Sequence, residues 1–159
     1  MAIHSYIISK TDKMKYFTDM KVVFDSLGNR QNEYNWLISD FELNHYTDDS
    51  WCDEPYIWIS GDQLSELVYQ NDIQFIWGVF SGFKKNITVD FSDRTFIPYA
   101  EGNSRLWIKE PKIQHPKADI EIVCWDSSLC LFLTRDENLA NQFKSYFIEA
   151  EDLREFNRK

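Results

Sequence analysis

The sequence predicts an α+β fold, a single domain built on a mainly antiparallel sheet with about three helices packed on it. Three observations carry that prediction. At 159 residues the chain has the length of one domain and can bury most of its apolar surface without help from metal or disulfide. Apolar residues make up 43% and aromatic residues 16%, a ring content that excludes a disordered acidic tail. Segments with strand alternation and segments with helical spacing follow one another without the regular strand-helix alternation of a parallel sheet.

Taken in order, Ile3 to Ser9 reads as a first strand, after which Tyr16, Phe17, Met20, Val23, Phe24 and Leu27 recur at helical spacing. Gly28-Asn29 stops that helix. Glu33 to Leu43 carries Tyr34, Trp36 and Ile38 on one face and Leu37 and Phe41 on the other, so an interior strand covered on both faces is expected. The polar stretch Asn44 to Glu54 is a loop. Tyr56-Ile57-Trp58-Ile59 is the next strand and runs directly into Ser60-Gly61-Asp62-Gln63, a capping box whose helix buries Leu64, Leu67 and Val68.

Gln74 to Phe83 is again a strand, with Gly78 and Gly82 placed for a bulge or a close backbone approach, and Lys84-Lys85-Asn86 turns the chain. Ile87, Val89 and Phe91 alternate. From Ser92 to Lys117 prolines, a glycine and scattered charges predict a long irregular connection, with a candidate strand at Leu106 to Ile108. Asp119 to Trp125 and Leu129 to Thr134 alternate around Asp126-Ser127-Ser128 and predict a hairpin. Thr134 to Glu137 reads as a second capping box. Its helix places Leu139, Phe143, Tyr146 and Phe147 on one side, a packing surface that Leu153 and Phe156 would extend.

Charge is distributed very unevenly. Residues 31 to 83 contain ten carboxylates, twelve aromatic rings and no lysine or arginine. The window carries −10 of a total of −9, and the rest of the chain, with 17 basic and 16 acidic residues, carries +1. Like charges crowded together cost stability, and their usual use is a negative potential that attracts a basic partner and speeds encounter. With a pI of 4.8 and no basic stripe, the chain lacks the phosphate contacts that nucleic-acid binding needs, although an array of carboxylates could mimic nucleic acid toward a basic nuclease. The N-terminal sequence has no basic stretch followed by a long apolar run, no segment approaches the length of a membrane span, and Cys52, Cys124 and Cys130 suit reduced thiols. A cytoplasmic protein without a membrane partner is therefore expected.

The candidate site is the loop Asp48-Asp49-Ser50-Trp51-Cys52-Asp53-Glu54, together with Tyr46. Four carboxylates in seven residues invite a hard cation, but the alternating ligands, central glycine and closing glutamate of an EF-hand are missing, so no metal and no cofactor is expected. The favoured reading is a recognition loop: Trp51 lies against a partner while Asp48, Asp49, Asp53 and Glu54 pair with its lysines or arginines. His45 and Cys52 have no third group to orient them, and the surrounding negative charge opposes thiolate formation, so no catalytic pair is read there. Gly78-Val79-Phe80-Ser81-Gly82 puts its serine one place too late for a nucleophile elbow. A rival reading makes the loop carboxylates, with Trp51 and Tyr46 as stacking rings, the site of a small carbohydrate-binding or hydrolytic domain. Trp36, Trp58 and Trp77 belong to alternating strands and are expected in the core, whereas Trp51, in a polar loop, is expected at the surface.

Four stretches carry a resemblance: Tyr34-Asn35-Trp36-Leu37-Ile38-Ser39-Asp40, Gln74 to Phe83, Cys124-Trp125-Asp126-Ser127-Ser128, and Tyr146-Phe147 followed by Asp152-Leu153. They resemble a bacterial domain family of unknown function that occurs as short stand-alone proteins. By overall profile the chain is similar to the immunity proteins of contact-dependent and polymorphic toxin systems, which are small, acidic, cytoplasmic and free of enzymatic motifs. That resemblance implies an inhibitor without catalytic activity and a basic protein toxin, a nuclease domain, as its partner.

Overall fold

The computed structural model describes residues 2–46, 49–92 and 97–159. The fold is α+β, as the sequence predicts. Seven antiparallel strands form one sheet: β1 (His4–Ile8), β2 (Tyr34–Leu43), β3 (Tyr56–Ser60), β4 (Phe75–Lys84), β5 (Ile120–Trp125), β6 (Leu129–Thr134) and β7 (Glu151–Asp152). Their order across the sheet is β3-β2-β4-β5-β6-β1-β7. Four helices accompany them: α1 (Met20–Ser26), α2 (Gly61–Gln70), α3 (Glu137–Tyr146) and α4 (Leu153–Asn157).

The sheet is apolar on both faces because successive side chains of the central strands alternate between two cores. Trp36, Ile38, Phe80, Ile120, Ile122 and Phe132 face one side, where Phe24 of α1, Leu64 of α2 and Leu139 and Phe143 of α3 cover them. Leu37, Val79, Phe83, Val123, Leu131 and Ile7 face the other. The second face is covered by the excursion between β4 and β5, through Ala100, Leu106, Ile113 and Ala118, and by Leu153 of α4. The irregular connection is thus a strap over a hydrophobic face. Ile87, Val89 and Phe91 pack against the same core without joining the sheet, and Leu106 lies in a 3₁₀ turn, Ser104–Trp107, rather than in the strand expected at Leu106 to Ile108. Leu153 and Phe156 likewise do not extend the surface of α3: they lie on the opposite face, because the chain passes through the edge strand β7 before α4 begins.

Local signals explain most element boundaries. Each helix starts at a side-chain cap: Asp19 Oδ1 accepts from Lys21 N, Ser60 Oγ from Gln63 N, Asp136 Oδ1 from Asn138 N and Leu139 N, and Asp152 Oδ1 from Arg154 N. The cap of α3 is therefore Asp136, two residues beyond the expected Thr134, whose Oγ1 instead accepts from Asp136 N. Gly28 and Asn29 both take positive φ, +61° and +63°, and end α1. Asp126 and Ser127, at +49° and +57°, make the tight turn of the β5–β6 hairpin.

A bulge reshapes β2. Ser39 pairs with Val79 and Glu42 with Trp77, so Asp40 and Phe41 together oppose one residue of β4, and Asp40 has a φ of +49°. The extra residue turns Phe41 to the helix face, correcting its expected placement beside Leu37. It also points the Asp40 carboxylate at the strap, where Oδ2 accepts from the backbone N–H groups of Ala100 (2.7 Å) and Glu101 (3.0 Å).

Two glycines mark close approaches. At Gly82 a Cβ would lie 3.1 Å from the ring of Trp36 and 3.3 Å from Ile120 Cβ. At Gly61 it would come within 2.1 Å of the Gln31 carbonyl oxygen and 2.8 Å of the Asn32 Cα, both backbone atoms of a 3₁₀ turn. Backbone cannot step aside as a flexible side chain can. Gly82→Ala should therefore destabilise by about 1–3 kcal/mol, and Gly61→Ala by about 3 kcal/mol or more. Urea unfolding of the two variants checks the ranking.

Candidate partner-binding surface

The acidic loop leaves β2 at Leu43 and is tied back at once. Asn44 N donates to the Gln74 carbonyl and Asn44 Oδ1 accepts from Gln74 N, both at 3.0 Å. A 3₁₀ turn, Asp49–Trp51, follows. Trp51 is only 8% exposed: its ring stands edge-on to Phe41 at 5.5 Å, in the socket that the bulge opens on the helix face. This corrects the expectation of an exposed anchor. The loop looked polar because one large ring among charges is all that is needed to pin it down. Tyr46 is half-buried and packed against the same core. Asp48 lies outside the described residues, as does the side chain of Asp49. Asp53 and Glu54 are exposed.

Trp58 shows the reverse correction. It faces the strap side from β3, touches Phe83 and Phe91, and remains 38% exposed because β3 is the end of the sheet and, among the described residues, no strand lies beyond it. Trp36 is fully buried as expected, its Nε1 donating to the Gln31 carbonyl, and Trp77 is partly buried against Trp125.

The carboxylates of the window divide clearly. Glu33 pairs with Arg30, Asp72 approaches Lys21, and Asp40 holds the strap. Glu42, Asp53, Glu54, Asp62 and Glu66 are exposed, and none meets a lysine or arginine among the described residues. Four of these five surround the β3–α2 unit: Asp53 and Glu54 precede the strand, and Asp62 and Glu66 are on the helix. Between strand and helix runs a groove of about 470 Å³, lined by Trp51, Ile57, Trp58, Ile59, Gln63, Glu66, Leu67, Gln70 and Asn71. Five of its nine lining residues are apolar, and its one charged residue, Glu66, is acidic. Sequence reasoning found the charge but missed Ile57, Ile59, Glu66 and Leu67 as surface-forming residues, because the strand order that leaves β3 at an edge is not written in any local pattern.

Two other concave regions have different characters. Where β1 and β2 begin and β4 and β6 end, a cleft of about 470 Å³ includes His4, Tyr34, Lys84, Asp119, Arg135 and Asp136. Most of its charges are paired: Asp119 is 3.5 Å from Lys84 and 4.0 Å from Arg135, and Asp136 is 3.1 Å from the neighbouring Arg30. Under the strap, Glu121 is fully buried. Its Oε1 accepts from Gln114 N at 2.8 Å and its Oε2 from Gln114 Nε2 at 3.3 Å, while Gln114 Oε1 accepts from Tyr99 N and Asn103 Nδ2. This network fastens the strap to β5. Burial pushes the Glu121 carboxyl up to about 7, against the two hydrogen bonds from Gln114 that pull it down.

Among the described residues no three His, Cys, Asp or Glu side chains converge as metal ligands, and no helix is long and apolar enough to cross a membrane. Cys124 and Cys130 face each other across β5 and β6 with both thiols raised by burial, Cys130 to about 12, and Cys52 is exposed. No protein-family model, curated protein or solved structure matches the chain.

Glu121 binds its proton more tightly folded than unfolded, so its favourable contribution is complete below about pH 4.5 and is lost as pH rises through about 7. His115, lowered by burial, acts with the opposite sign near neutrality, so the difference between wild type and Glu121→Gln isolates the carboxyl. Relative to wild type, the variant should gain up to about 3 kcal/mol between pH 5 and pH 8 in urea titrations. For the rings, Trp58→Phe should remove the largest share of acrylamide-quenchable emission and Trp51→Phe very little. Iodide should quench Trp58 less well than acrylamide, since the surrounding carboxylates repel it.

Proposed function

We propose that the protein is an inhibitor of the immunity type, which neutralises a basic protein toxin, a nuclease domain, by covering it with the acidic face around β3 and α2. It performs no reaction and acts in the cytoplasm. One observation carries the reading: Asp53, Glu54, Asp62 and Glu66, exposed and meeting no lysine or arginine among the described residues, precede β3 or lie on α2, the two elements that form the groove, in a stretch of the chain that contains no lysine or arginine. Within a folded protein, such charges relieve their mutual repulsion when a basic surface docks, and they raise the rate of encounter. A nuclease presents the phosphate-binding surface that this array fits. A sugar-binding or hydrolytic domain working through the same loop would need Trp51 and Tyr46 as stacking platforms, and both rings are turned toward the core. The resemblance to immunity proteins supports the same partner class.

The gene immediately beside this one should encode a large toxin with a basic C-terminal domain, and co-expression with that domain should restore growth. A metabolic neighbour and unrelieved toxicity would sink the proposal. With the purified toxin domain, the paired changes Asp53→Asn with Glu54→Gln, and Asp62→Asn with Glu66→Gln, should slow association in stopped-flow experiments at low salt. The difference should shrink at high salt as the charges are screened. Stability should change by no more than about 0.5 kcal/mol per site, because these are exposed surface charges.

A further inference from the structure

We propose that the open edge of β3 receives an extended basic segment of the partner as an added strand, with its side chains seated in the groove against α2. The class of partner rests on the inhibitor reading above. The mode of binding rests on the sheet itself.

The sheet has two ends. At one, β7 is two residues long and runs directly into α4. At the other, β3 is a five-residue strand that, among the described residues, pairs with β2 on one side only. Alternate residues of such a strand direct their N–H and C=O groups outward, where another strand can take them up. The groove follows this edge closely. Its lining includes Ile57 and Ile59, which face the helices, and Trp58, which faces the strap side, so the concavity straddles the strand rather than lying on one face of it. Gln63, Glu66 and Leu67 of α2 form its wall.

An incoming strand would therefore present alternate side chains to two surroundings. One set would enter the groove against Ile57, Ile59 and Leu67, which suits β-branched or other apolar residues. The other set would lie over the half-exposed Trp58 ring, which suits arginine or lysine through cation–π attraction. Charge selects among possible occupants. A second copy of this chain pairing edge to edge would crowd the carboxylates Asp53, Glu54, Asp62 and Glu66 of the two copies together, whereas a basic segment would be matched by them. The same carboxylates that attract the partner thus protect an exposed edge from self-association.

The test uses the full chain and a synthetic peptide of about seven residues alternating lysine and valine, with two controls: the same peptide N-methylated at alternate amides, and its glutamate counterpart. The basic peptide should bind at low salt, slow hydrogen exchange of β3 amides and alter Trp58 emission. N-methylation leaves the charge unchanged but removes strand pairing, and should weaken binding by about tenfold or more. Glu66→Lys, at an exposed position that leaves the fold intact, should weaken it by about tenfold as well. Equal binding of the N-methylated peptide, without protection of β3, would overturn strand addition while leaving the acidic surface as a docking face. Failure of both basic peptides, with protection against the co-expressed toxin retained, would also overturn it and would leave the inhibitor reading standing. Equal binding of the glutamate peptide would remove the charge argument from both. Concentration-dependent dimerisation with protected β3 amides and no peptide present would assign the edge to a second copy and overturn the proposal.

Discussion

The sheet is apolar on both faces, and the rest of the molecule is arranged to cover both. On one face this is straightforward, since α1, α2 and α3 bring their own satisfied backbones to the packing. On the other the cover is a strap with little regular structure, and its buried amides and carbonyls need partners from elsewhere. Side chains of the sheet and strap provide them. Asp40 accepts from Ala100 and Glu101, Ser39 donates its hydroxyl to the Pro98 carbonyl, and Glu121 with Gln114 ties down Tyr99 and Asn103. A carboxylic acid buried in that position is the cost of fastening a loop over a hydrophobic sheet, and its raised proton affinity follows directly from the burial.

The bulge at Asp40 connects this architecture to the acidic face. A single residue with positive φ aims its own carboxylate at the strap and turns the next residue, Phe41, to the other side. Phe41 then meets Trp51, and the loop that follows β2 is anchored by an aromatic pair. Trp51 therefore fixes the loop, with little of its own ring left at the surface. In the proposed inhibitor, charges held on an anchored loop and on a capped helix would need little ordering on docking, which would lower its entropic cost.

A concentration of unpaired negative charge works against the stability of the fold that carries it. Here the charge sits where the protein is otherwise vulnerable, beside β3, a five-residue strand with no second neighbour among the described residues. Edge strands invite association, and charge is a common means of restricting it. Edge and charge together explain a sequence window with no compensating lysine better than either does alone.

The sequence by itself determined those features that depend on near neighbours. Alternation located every strand but the two-residue β7, the hairpin around Asp126 and Ser127 was legible in its turn residues, Gly28-Asn29 ended α1, and Ser60 with Gln63 opened α2. The charge asymmetry was likewise plain. Tertiary structure alone decided which residues of that acidic stretch are presented. Periodicity tells which side of a strand a residue faces, but not whether another strand lies beyond it, so Trp58 in an alternating segment is exposed at an edge while Trp51 in a polar loop is buried. Glu121 occupies a position that alternation assigns to one face, and only the strap, folded back from residues distant in the chain, makes that face an interior. In each case the deciding contact is between residues far apart in sequence, and no local pattern of residue types encodes it.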